Sequence, residues 1–303
     1  MTISTRFPFA LAAAGALAAS SAAAQTQADC FPGPNSNEAR TMAIFGVPLA
    51  FSGSAAPTRV PPGRLHLGLE VSSVPDVDPA TATPTFCRPD KGPENTDLLL
   101  AMPRPRAWLA LPAGFQVEAS WAPPIRVAEV KANLFGLALS RATALPRNGA
   151  VLSIRIHGSF GVIKAPITCN DAALQDATSV CYQGTRSDDS FQPNVAGIEA
   201  AVGWQLGRSV RPYLGAGYNH LAPRFRVNFT DQFGETDRRR VSVDLDRGAL
   251  FAGFSWSATA AVGLNAELYA VPTDAITARV VGRIRLGRPS AAEPASASRS
   301  PDR

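Results

Sequence analysis

The chain has 303 residues, a formal charge of +5, 46% hydrophobic residues and a mean hydropathy of +0.01. That balance excludes a helical membrane protein, because past the N-terminus no apolar run reaches the ~18 residues a membrane helix needs. With only three histidines and no phosphate loop, dinucleotide fingerprint or zinc spacing, the sequence points to no cofactor or metal.

Residues 1–24 read as a secretory signal. Arg6 supplies the positive start, Phe7 to Ala19 the apolar stretch, and Ala22, Ala23 and Ala24 the small residues before a cleavage site. An exported chain with four cysteines implies disulfides, and four cysteines allow three connectivities. Cys169–Cys181 with Cys30–Cys87 is the preferred set. The first pair closes a short polar loop, and the second ties the N-terminal arm to the long loop that follows the first strand.

Residues 25–63 are rich in Pro, Gly, Ser and Asn and form an N-terminal arm. Inside it, Thr41 to Phe51 is apolar (Met42, Ile44, Phe45, Val47, Leu49, Phe51). Two readings stay open: a short helix or strand plugging a lumen, or an ordered arm on a periplasmic rim.

From Arg64 onward the residues alternate with period two, which means strands. The expected strands are 64–74, 104–111, 115–121, 130–141, 150–163, 194–207, 210–230, 238–257, 261–271 and 275–286. Pro105 makes the second a weak strand. Short turns alternate with longer connections at 75–103, 164–193 and 231–237. The predicted fold is all-β: an antiparallel transmembrane β-barrel of about ten strands over residues 64–287, with eight or twelve also fitting the pattern. Residues 288–303 are mostly Pro, Ala, Ser and Arg and read as a disordered tail.

One face of these strands collects charge of both signs: Glu70, Glu118, Lys131, Arg155, His157, Glu199, Arg211, Glu267, Arg279, Arg283 and Arg285. An Arg or Lys on the lipid side at mid-bilayer costs about 2–4 kcal/mol, so this face is assigned to the lumen. In a small barrel such groups fill the interior as paired networks. A narrow polar pore is the competing reading, with the arginines of the last strand favouring anions. Trp121, Trp204, Tyr218, Phe229, Phe254 and Trp256 lie near strand ends, where membrane interfaces collect aromatic residues.

His220, with Asp244 and Asp246 on the neighbouring strand, admits an outer-membrane hydrolase, whereas His66 and His157 belong with the lumen charges. Arg238, Arg239 and Arg240, with Arg224 and Arg226 on the partner strand, form a basic cluster. It is either a solvated hairpin or a contact for lipopolysaccharide phosphates, with no sign of nucleic acid.

Over about Arg64 to Leu286 the chain resembles small bacterial outer-membrane β-barrels of the porin-like or OmpA-like class. The resemblance rests on the signal, the hairpin series and the aromatic positions. The Leu111 to Phe115 and Ala122 to Pro124 runs resemble hydrophobe transporters of the FadL type and carry no site with them. Barrels of this class end on an aromatic residue; here the last strand ends at Leu286. The resemblance implies an outer-membrane location, with membrane lipid or lipopolysaccharide and the barrel assembly machinery as partners. The expected function is structural or passive small-solute transport, not enzymatic. The alternative is a soluble periplasmic or secreted β-protein that binds a ligand.

Overall fold

In the computed structural model, residues 29–146 and 149–286 are described; the expected signal segment and tail lie outside them. Ten long strands carry the fold. They are β1 (Leu65–Ser73), β2 (Ala101–Ala110), β3 (Phe115–Ala122), β4 (Val130–Ala144) and β5 (Val151–Ala165), then β6 (Val195–Gly203), β7 (Val210–Leu221), β8 (Leu245–Ser257), β9 (Val262–Val271) and β10 (Ala275–Leu286). Each pairs antiparallel with the next, and β10 closes on β1 from Arg279↔Ser72 to Leu286↔Leu65. The sheet is a closed barrel without a free edge between these strands.

The faces are inverted relative to a water-soluble protein. Leu69, Leu137, Ile154, Ile156, Leu214, Leu250 and Leu268 point out and are exposed, while Glu70, Arg155, Glu199, Glu267 and Arg279 point in and are buried. No helix among the described residues is long and apolar enough to cross a membrane. An outward apolar band on a closed sheet is the way strands cross one.

Connections 111–114, 145–150, 204–209 and 258–261 lie at one end, the short-turn end. Connections 74–100, 123–129, 166–194, 222–244 and 272–274 lie at the other, the long-loop end. The long loops are pinned by two disulfides, Cys30–Cys87 and Cys169–Cys181.

Two strands expected to run unbroken over 210–230 and 238–257 do not. β7 stops at Leu221 and β8 starts at Leu245. Between them Arg224–Arg226 and Arg240–Ser242 form separate short strands, which join Asp189–Gln192 and Asp29–Cys30 in an extension of the sheet. Pro223 has no N–H to give the ladder and breaks it at the exit of β7.

The N-terminal arm occupies the interior. Its helix α1 (Asn37–Leu49) starts at Ser36, whose Oγ accepts the Ala39 amide at 3.1 Å. Met42, Ala43, Val47 and Leu49 are buried in one cluster with Phe191, Tyr213, Val241, Phe251 and Tyr269 from the barrel and its extension. The chain therefore begins its described course at the long-loop end, where Asp29–Cys30 pairs in parallel with Arg240–Val241. It descends through the lumen and enters β1 from the short-turn end. The arm is not on the rim: its apolar residues meet the barrel's inward apolar residues near the long loops, and its polar ones meet the charges below.

Candidate functional site: a lumen filled by four arginines and four glutamates

The centre of the barrel is a chain of ion pairs running from strand to strand across the lumen. On β1, Glu70 meets Arg104 of β2 at 2.6 Å and also pairs with Arg106. Arg106 reaches Glu118 of β3 at 2.7 Å, and Glu118 reaches Arg155 of β5 at 3.0 Å. Arg155 continues to Glu199 of β6 at 3.2 Å, with His157 3.5 Å from the same carboxylate. Across the barrel, Glu267 of β9 holds Arg279 of β10 at 3.3 Å and accepts the Tyr213 hydroxyl at 3.0 Å. All of these side chains are buried. Charges out of water persist when they are paired, and here each cation has a carboxylate and each carboxylate a cation, although Nε of Arg106, Arg155 and Arg279 and Oε1 of Glu199 have no hydrogen-bond partner.

The arginines also hold the arm. Arg279 donates to the Val47 carbonyl at 2.8 Å, and Arg104 to the Pro48 carbonyl at 3.3 Å. These carbonyls end α1, where backbone acceptors lack helical partners and the dipole favours cations. Arg106 donates to the Ser52 carbonyl at 2.7 Å, and Arg155 donates to that of Phe51. The Phe51 ring sits among Arg104, Arg106 and Arg155, with guanidinium carbons 5.4, 4.3 and 4.9 Å from its centroid. Ser52 bridges Arg279 and Glu267, Ser54 reaches Glu70 at 3.3 Å, and the Ala56 amide donates to Ser255 at 2.8 Å.

Two cavities flank this plug. Toward the long loops, an apolar one of about 120 Å³ lies between α1 (Met42, Phe45, Leu49) and Leu99, Met102 and Phe225. Toward the short turns, one of about 70 Å³ with a mixed polar and apolar lining touches His66, Glu118, Arg155 and Arg283. At the mouth, Glu38 accepts the amides of Thr85, Phe86 and Cys87 at 3.0, 2.8 and 2.8 Å. Burial pushes its carboxyl up, but these backbone donors outweigh burial and hold it below the ordinary range.

Of the residues the sequence placed in the lumen, Glu70, Glu118, Arg155, His157, Glu199, Glu267 and Arg279 come together in the network. Arg283 and Arg285 are half-buried near the short-turn end, opposite Gly68 and His66 of β1. Arg211 is exposed at that end and donates to Gln205. Lys131 is corrected: it is exposed on the outer face, because the buried Val130 beside it takes the inward position. Phe229, assigned to the membrane interface, is buried against the Cys169–Cys181 bridge. Arg104 and Arg106, absent from the predicted set, are central. Their signal was present in Arg104-Pro105-Arg106, two cations two residues apart and so on one face. Pro103 and Pro105 are tolerated because this part of β2 pairs with β1 alone; its pairing with β3 begins at Arg106.

His220 and Asp246 do meet, Nδ1 to Oδ1 at 3.0 Å, but on the outward face with both side chains more than half exposed. Asp244 is paired with Arg224 at 2.9 Å.

No protein-family model matches the chain, and no curated protein matches it in sequence. Among solved structures it is similar to Ail of Yersinia pestis (10% identity, TM-score 0.30, covering 74% of this chain and 99% of that one). It is similar as well to the outer membrane protein Omp33 of Acinetobacter baumannii (10%, 0.28, 74% and 98%) and to the toluene transporter TodX of P. putida (12%, 0.28, 86% and 73%). The pairing of this chain's own strands closes a ten-stranded antiparallel barrel with an apolar outer face, and no specific family is shown.

Proposed function

We propose that this protein is a structural outer-membrane barrel whose lumen is sealed by its own N-terminal segment. The observation that supports this reading is the ring of arginines that grips the backbone of residues 47–52 while pairing with glutamates from β1, β3, β6 and β9. An open pore needs water along its axis. Here Phe51 and its three arginines occupy that axis, and moving them leaves buried glutamates without partners.

Conductance in planar bilayers tests it. The wild-type protein is expected to insert without conducting. A variant with residues 47–56 replaced by a Gly/Ser segment is expected to conduct and, lined by the freed arginines, to favour anions. Discrete open levels from the wild-type protein at modest voltage would overturn the sealed reading in favour of a passive pore.

A second reading, binding of a small apolar molecule, is favoured by the cavity of about 120 Å³ against α1. That is close to the ~150 Å³ of an engineered apolar cavity that takes up benzene. Saturable benzene binding that disappears in Leu99→Trp supports it; no binding by the wild type removes it.

A further inference from the structure

Seven residues on seven short or long strands lie in one cross-strand row at the long-loop end. Asp29 is the register partner of Arg240, Arg240 of Arg226, and Arg226 of Ser190. Ser190 continues to Lys164, Lys164 to Lys131, and Lys131 to Arg126. Register partners share a face of the sheet. The neighbouring row shows which face this is: Val241, Phe225, Phe191 and Ile163 turn inward to the cluster around α1. The five cations of the row are therefore outward, and all five are exposed.

From Arg240 to Arg126 the row spans five strand spacings, roughly 24 Å. Among the described residues, Asp188 pairs with Lys164 at 2.7 Å and Asp29 flanks Arg240, while Glu129, in the turn between Arg126 and Lys131, is paired with Arg186. Arg126, Lys131, Arg226 and Arg240 have no ion partner within the described residues. Like charges directly opposite each other on a sheet repel, as Arg226 and Arg240 do here, and an anion over the row relieves that repulsion.

A second row fixes its depth. Trp121, Phe135 and Phe160 are also register partners, stacked at 6.1 and 5.7 Å and exposed on the same outward face. Lys131 and Lys164 lie four residues beyond Phe135 and Phe160, about 13 Å along the strands. Stacked aromatic rings mark the boundary where hydrocarbon meets headgroups. The phosphates of ordinary phospholipids sit at that boundary. The basic row stands beyond it, at the level of a bulky sugar headgroup.

We infer that the row from Arg126 to Arg240 is a docking strip for the phosphate groups of an outer-leaflet glycolipid, with the long-loop end facing out of the cell. The strip stands apart from the lumen and holds whether or not the barrel conducts.

The test is binding of purified lipopolysaccharide to the full mature protein in detergent micelles. Two probes accompany it: the same lipid after enzymatic dephosphorylation, and phosphatidylglycerol. The wild type is expected to bind the phosphorylated glycolipid in a salt-sensitive way. R126Q/K131Q/R226Q/R240Q is expected to lose binding by about a thousandfold, as four charges leave an anionic surface. R141Q/R208Q, on exposed arginines toward the short-turn end, is expected to leave it unchanged. Heat-modifiable mobility confirms that each variant is folded; if the fourfold variant is not, R126Q/R240Q at the row's ends takes its place. Equal binding of the dephosphorylated lipid, equal binding of phosphatidylglycerol, or a response only to a soluble polyanion such as heparin each overturns the proposal.

Discussion

Arg106 lies over the ring of Phe51, 4.3 Å from guanidinium carbon to ring centroid, while its nitrogens reach Glu70 and Glu118 on the strands either side. One residue of the barrel wall thus joins the ion chain to the segment that fills the lumen. The contact is stronger than an exposed cation–π pair because both partners are out of water. Replacing Arg106 leaves Glu70 with Arg104 alone and Glu118 with Arg155 alone, and the buried network one positive charge short. Arg106→Met is expected to destabilise the barrel by about 3–5 kcal/mol. Urea unfolding followed by tryptophan fluorescence in micelles reads this; a loss below about 1 kcal/mol, the level of a surface pair, means the network is hydrated and not closed.

Room for that ring comes from the facing strand. A Cβ on Gly136 of β4 would stand 2.4 Å from Ser120 Oγ and 3.0 Å from Phe51 Cγ. Gly136→Val is expected to cost about 1–3 kcal/mol through overpacking. Coupling is the sharper signature, because truncating Phe51 removes one of the two close contacts and leaves only that with Ser120 Oγ. The double variant Gly136→Val/Phe51→Ala is expected to be more stable than the two single losses predict, by about 0.5–3 kcal/mol. Strict additivity in the cycle would place Phe51 away from Gly136.

Much of this barrel was legible because a strand repeats every two residues. Glu70, Glu118, Arg155, Glu199, Glu267 and Arg279 each sit among small or polar neighbours at that spacing, and the lipid cost of a charge decides which side is inside. Legibility failed where the period failed. Val130 to Phe135 alternates poorly, and Lys131 was placed on the wrong face for that reason. Pro105 argued against a strand although the strand lies beside a single partner there. Ser52 and Ser54 carry no periodic signal at all, since an irregular segment follows the walls that hold it. The basic row could not be read either: it joins residues from Asp29 to Arg240 through register, which only the folded sheet defines.

The Cys30–Cys87 bridge ties the top of the lumen segment to the loop after β1, across 57 residues of sequence. The segment's lower end runs directly into β1, so with the bridge intact it is held at both ends. Cys30→Ser/Cys87→Ser is expected to leave the closed sheet in place and to make the stretch before Ser36 open to protease. Mass spectrometry of limited digests, beside heat-modifiable mobility, checks both halves. Removing a native bridge from a small domain costs typically about 2–5 kcal/mol, but here the loss should fall on the arm. Concerted collapse of the barrel with the arm would contradict the separation. Cys169→Ser/Cys181→Ser opens a loop that the bridge closes across a sequence separation of only 12, away from α1, and is expected to leave the arm protected.

The seat of α1 at the mouth depends on pH through Glu38. Its carboxylate accepts the amides of Thr85, Phe86 and Cys87, and these donors outweigh burial to hold its affinity for protons below that of a free carboxyl near 4.5. A depressed carboxyl contributes stability that is present in full above its unfolded value and is lost as pH falls through the folded one. Amide exchange at residues 85–87, corrected for the intrinsic rate, is therefore expected to be slow at neutral pH and to lose protection below about pH 4.5. Glu38→Gln keeps the shape but not the charge. It is expected to start with weaker protection and to show little change over the same range. A wild-type profile as flat as that of Glu38→Gln would mean that the loop is held by the Cys30–Cys87 bridge alone, with no contribution from the carboxylate.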